Sequence, residues 1–102
     1  MLHIEPVSIQ LCRDVRAIEG RIPDKELVDQ MRRAASSVTL NLAESNGLRG
    51  GNRIQRRLTA LGSAYELLRG FVVADATYGV RLTPQVRNRL NHVIGVLVKL
   101  TR

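Results

Sequence analysis

Apolar residues recur at steps of three and four along most of the chain and never alternate with period two for long enough to make a strand. Residues 1–6 read as an irregular lead-in closed by Pro6. Val7, Leu11, Val15 and Ile18 then share one side of a helix over 7–19, which Gly20 ends. Arg21-Ile22-Pro23 is a short connector whose Ile22 is expected to anchor in the core. Asp24, with Glu26 beside it, opens a second helix that runs to about Ser45. Its core stripe is Leu27, Met31, Ala34, Ala35, Val38 and Leu42. The glycine-rich segment Asn46 to Gly51 reads as a helix–helix turn. Asn52 is expected to cap a third helix reaching about Thr77, in which Ile54, Leu58, Leu61, Tyr65, Leu68 and Val72 make a near-ideal core stripe. After a turn over 78–82, Thr83 caps a fourth helix with Pro84 at its first position. Its stripe is Val86, Leu90, Val93, Leu97 and Leu100. The predicted fold is all-α, an antiparallel up-and-down four-helix bundle formed as one domain over residues 1–102.

Two helices carry more than a core stripe. On the second, Arg33, Ser37, Leu40 and Glu44 line up opposite the core, and Leu40 is apolar where a solvated face needs no such residue. On the third, Ala60, Ala64, Leu67 and Phe71 form another apolar face roughly 100° from the first. Surplus apolar faces in so small a chain point to self-association, with Leu40, Ala60, Ala64, Leu67 and Phe71 as the expected oligomer interface. The competing reading is a wide bundle that buries them internally.

Charge adds the first functional hint. Sixteen basic residues stand against nine acidic ones, a net charge of +7, and fourteen of the sixteen are Arg. Arg matches phosphate bidentately and is weakly hydrated, which favours nucleic acid over a merely solvated surface. Only three residues are aromatic, so the core must be aliphatic. No apolar run nears the roughly 20 residues of a membrane span. The N-terminus lacks the basic-then-apolar order of a secretory signal. Cys12 stands alone, so no internal disulfide can form, and it reads as a small core hydrophobe in a reducing cytoplasm.

Catalytic chemistry finds little purchase. His3 lies in the lead-in and His92 on the polar side of the fourth helix. No paired cysteines, H-E-x-x-H or carboxylate cluster suggests a metal or an acid–base pair, and no cofactor is expected. Arg33, Asn41, Ser63 and Glu66 flank the stripes of the second and third helices and are expected to form a buried polar network fixing their register. The turn is the best binding candidate. Gly47, Gly50 and Gly51 free backbone N–H groups, while Arg49, Arg53, Arg56 and Arg57 crowd the same place with no acid from Gly47 to Ala64. That combination holds phosphate without reading sequence. Gly47-Leu48-Arg49-Gly50 also matches a bare KH-type G-x-x-G, but no strands surround it.

Two blocks carry a family resemblance. Gln30-Met31-Arg32-Arg33-Ala34-Ala35-Ser36-Ser37-Val38 followed by Asn41-Leu42-Ala43-Glu44, and then Leu61-Gly62-Ser63-Ala64-Tyr65-Glu66, resemble the signature segments of small bacterial four-helix bundle proteins. These are the 23S rRNA intervening-sequence proteins and their relatives, among them the accessory variability protein of diversity-generating retroelements. The chain has Ala43-Glu44-Ser45 where the family tends to have A-E-G, and Arg57-Leu58 where an aromatic pair often precedes the second block. The resemblance implies a homo-oligomer, with a pentamer favoured, that binds nucleic acid and associates with a reverse transcriptase. The combined expectation is a non-enzymatic, oligomeric, cytoplasmic nucleic-acid-binding accessory protein. The alternative is a structural adaptor that holds a partner protein without a direct nucleic-acid role.

Overall fold

The computed structural model describes residues 4–102. Four helices follow one another: α1 (Glu5–Ile18), α2 (Lys25–Ser45), α3 (Gly50–Tyr78) and α4 (Pro84–Thr101), with a 3-10 turn, Glu19–Arg21, after α1. No strand occurs among the described residues. The fold is therefore all-helical with four helices, as the periodicity predicts. α1 begins earlier than expected, because Pro6 sits inside its first turn, where the missing N–H is unneeded. His3 lies outside the described residues.

The helix ends follow from local chemistry. Asp24 accepts the N–H of Leu27 on its side chain at 3.0 Å and so caps α2. Thr83 does the same for Val86 at 3.3 Å, with Pro84 entering α4. Gly79, at φ +68°, closes α3 in the left-handed conformation that a side chain would resist. At the start of α3 the cap position falls on Arg49 rather than Asn52, and no side chain caps it. Gly50 takes φ +60°, and the helix begins three residues sooner than the sequence pattern suggests.

Each helix packs on its sequence neighbour, and α1 closes the ring against α4. The molecule is elongated, 42 × 24 × 20 Å. The expected stripes of α1, α2 and α4 do face the core, where Leu11, Val15, Val38, Leu42, Leu90, Val93 and Leu97 are almost wholly buried. Ile22 anchors the first connector, 7% exposed.

α3 departs from expectation. Its inward residues are Ala60, Ala64, Leu67, Gly70, Phe71 and Ala74, so four of the positions expected at an oligomer interface lie in the monomer core. The stripe expected in the core is turned out: Ile54, Leu58, Tyr65 and Val72 are 39–45% exposed, and Leu61 and Leu68 are half-buried at the core's edge. Close helix approach is the reason. α2 presents Ala34 and Ala35 beside Met31, and only a face of Ala and Gly lets α3 come near enough to bury them. At Gly70 a Cβ would stand 2.6 Å from Met31 Cγ. A face of Leu, Ile and Tyr would hold the two backbones apart and leave voids around the alanines.

Candidate nucleic-acid interface

Arg53 and Arg57 fall on the same flank of α3 as Ala60, Ala64 and Phe71, one and two turns before the core begins. The inward face thus ends in two half-buried arginines at the turn end of the bundle. Arg53 Nε donates to the Leu48 carbonyl at 2.7 Å and so holds the turn against the helix. Arg57 Nε is buried and has no hydrogen-bond partner among the described residues. Burial, and after it the Arg53 charge, pulls the Arg57 guanidinium below its usual value. Neither residue forms an ion pair among the described residues.

Arg49 is exposed at the head of α3. Arg56 points the other way, toward α2, where Nη2 lies 3.1 Å from a Glu44 oxygen and Nη1 donates to Asn41 Oδ1 at 3.3 Å. Of the four arginines expected to bind phosphate, Arg49, Arg53 and Arg57 have no acidic partner among the described residues and Arg56 is already engaged. Charge is also unevenly placed along the chain. Residues 45–102 hold ten basic and two acidic side chains, so α3, α4 and their turns carry the whole excess.

The expected polar network is half present. Ser37 and Ser63 share a hydrogen bond of 2.7 Å across α2 and α3, and Asn41 Nδ2 donates to the Ser37 carbonyl at 2.8 Å and to its hydroxyl at 3.1 Å. Through Asn41 the network reaches Arg56 and Glu44. Arg33 and Glu66 take no part: both are exposed and neither forms an ion pair among the described residues. Their exposure on the outer faces of the two helices leaves them outside the contact between α2 and α3 and corrects the expectation for both residues. Leu40, alone among the residues expected at an oligomer interface, is exposed, at 65%.

Sequence reasoning missed the one deeply placed charge among the described residues. Asp14 is 6% exposed and receives a fork of two bonds from Arg89, Nε to Oδ2 at 2.8 Å and Nη2 to Oδ1 at 2.6 Å. This bond holds the Arg89 guanidinium above its usual value. The signal was readable: Asp14 is three residues from Leu11 and four from Ile18, on the core side of α1, where a carboxylate demands a partner. The Tyr78 hydroxyl, which donates to Asp24 at 2.8 Å and ties the end of α3 to the start of α2, had no such signal.

No protein-family model, curated protein or solved structure matches the chain. Among the described residues no three His, Cys, Asp or Glu side chains gather as a metal site requires. No helix there is long and apolar enough to cross a membrane.

Proposed function

We propose that this chain is a non-enzymatic accessory protein that self-associates and binds nucleic acid through the phosphate backbone. The observation that carries the reading is the cluster of Arg49, Arg53 and Arg57 at the turn end, none of which forms an ion pair among the described residues. Guanidinium groups grip phosphate through paired N–H donors whatever the base sequence. The antiparallel up-and-down order belongs to this reading and is supported by three cross-links between α2 and α3: Asp24 to Tyr78, Ser37 to Ser63, and Asn41 to Arg56. Association with a reverse transcriptase rests on the family resemblance alone. The adaptor reading draws on a different observation, the exposed apolar stripe of α3.

The test is salt-dependent binding to duplex and single-stranded oligonucleotides. Affinity is expected to vary little with sequence and to fall with a slope of about −0.9 per neutralised phosphate on duplex DNA. Replacing Arg49, Arg53 and Arg57 together by Gln flattens that slope and weakens both ligands. Replacing Arg13, Arg16 and Arg21 on the α1 side serves as the control and matters less. Equal loss in both variants would place binding on the basic surface at large, and no binding at low salt would leave the adaptor reading.

A further inference from the structure

Ile54, Leu58, Leu61, Tyr65, Leu68 and Val72 run about 27 Å along α3 as an apolar stripe that no described element covers. α4 gives this stripe a second wall. Arg89 turns toward α1, where it meets Asp14, so the opposite flank of α4, with Arg87, Ile94 and Val98, lies toward α3. Arg87 and Val72 line the same surface depression at one end. Leu61 and Leu68 on α3, and Ile94 and Val98 on α4, are half-buried, as the floor of a shallow trough between two helices is. Apolar positions at steps of three and four along such a trough receive one face of another helix.

Charge names the occupant. Arg57 is three residues from Ile54 and four from Leu61, and so edges the stripe on one side. Arg69, four from Tyr65 and three from Val72, edges it on the other, and Arg87 stands at the Val72 end. None of the three forms an ion pair among the described residues. The carboxylate on this rim, Asp75, accepts the Leu82 N–H at 2.9 Å, and Glu66 lies farther round α3 with Thr59 and Val73. A second copy is a poor match, because it brings the same arginines and a net charge of +7 to the same rim. A phosphate backbone has nothing apolar to lay along the floor. We propose that the trough between α3 and α4 docks an amphipathic helix of a partner protein, apolar at steps of three and four and edged with Asp and Glu. The inference rests on the adaptor reading above and supplies the chemistry of its partner. A seam of this width stays below the roughly 800 Å² per side of stable complexes, so the complex is transient, with a dissociation constant on the order of micromolar.

The test titrates the full chain into two labelled synthetic helices of about 20 residues, long enough to span the stripe. Both carry Leu and Ile at the seam positions; one has Glu along its edges and the other Lys. The Glu peptide is expected to bind at least tenfold more tightly at low salt, with the gap narrowing as salt rises. Tyr65→Glu, at an exposed point of the stripe, should weaken that binding at least tenfold and leave helicity and oligonucleotide binding unchanged. Arg69→Glu with Arg87→Glu, both at exposed positions the fold does not use, should reverse the preference and draw in the Lys peptide. A folding defect cannot produce that exchange. Arg57 stays unchanged throughout, because it also belongs to the turn-end cluster. Equal affinity of the unmodified chain for both peptides overturns the acidic partner and leaves the adaptor reading standing. Binding of neither peptide overturns both. Phosphatidylserine vesicles that bind in place of the peptides, and that Tyr65→Glu releases, would assign the trough to a lipid surface and overturn the proposal.

Discussion

Asp14 and Arg89 form the least exposed ion pair among the described residues. The carboxylate is 7% exposed and the guanidinium 30%, and two short bonds join α1 to α4, helices far apart in sequence. Breaking such a pair from one side strands the other charge. Arg89→Leu leaves Asp14 buried without a counter-ion and is expected to cost about 3 kcal/mol, near the lower end for buried pairs because Arg89 is partly solvated. Removing both with Asp14→Leu and Arg89→Leu restores part of that loss, since apolar side chains of similar size fill the same space. Thermal and urea unfolding of the two single variants and the double variant measures the coupling. Additive losses would show that the pair acts as two independent surface charges. Arg89 is thus a structural residue, whereas the neighbouring Arg87 is exposed and free to vary.

At the scale of the helix, what decides the fold is which of two apolar faces of α3 turns inward. Periodicity located α1, α2 and α4 with their buried faces, and the caps at Asp24 and Thr83, because each of those helices carries one dominant stripe. α3 carries two, and a count of apolar area prefers the one with Leu, Ile and Tyr. Packing prefers the other, because Ala60, Ala64, Gly70 and Ala74 let α2 approach. That preference depends on a partner helix and is invisible in the period of α3 alone. The polar network leaves out Arg33 and Glu66, which stay exposed, while Asn41 and Ser63 take part because they lie where α2 and α3 meet. Glycines test the packing directly. Gly95 lies in the interior of α4 with nothing near its Cβ position, so Gly95→Ala is expected to stabilise by about 0.5–1 kcal/mol. Gly70→Ala makes the same backbone gain but drives a methyl into Met31, and overpacking of about 1–3 kcal/mol outweighs it. Met31→Ala in the Gly70→Ala background relieves the clash but gives up a buried side chain worth about 2–5 kcal/mol, so the double variant should be no more stable than Gly70→Ala. Denaturant midpoints for the four chains check this, and a stabilising Gly70→Ala would show that the two helices are not in close contact there.

For the whole molecule, sixteen bases balanced by nine acids make the carboxylates the only brake on self-repulsion. Several of them also hold elements together. The Asp24 carboxylate lies below its usual range because it accepts the Leu27 N–H and then the Tyr78 hydroxyl. Glu19 lies below its own because Arg32 donates to it at 2.6 Å. The same bond to Asp24 holds the Tyr78 phenol above its ordinary value. A carboxyl group whose folded value is depressed contributes stability above its unfolded value, near 4, and that contribution is lost as pH falls through the folded value. Melting temperature is therefore expected to stay level down to about pH 5 and to fall steadily below about pH 4. Protonation also removes the counter-charges, so the acid loss should be partly reversed by added salt, which screens the remaining arginines. Asp24→Asn keeps the shape of the cap and removes the titration, so its melting curve should start lower at neutral pH and decline less toward acid. Circular dichroism melts across pH at low and high salt measure both effects. A decline equally steep in Asp24→Asn and unaffected by salt would mean that neither the cap nor the net charge governs acid unfolding, and that the aliphatic core alone sets the limit.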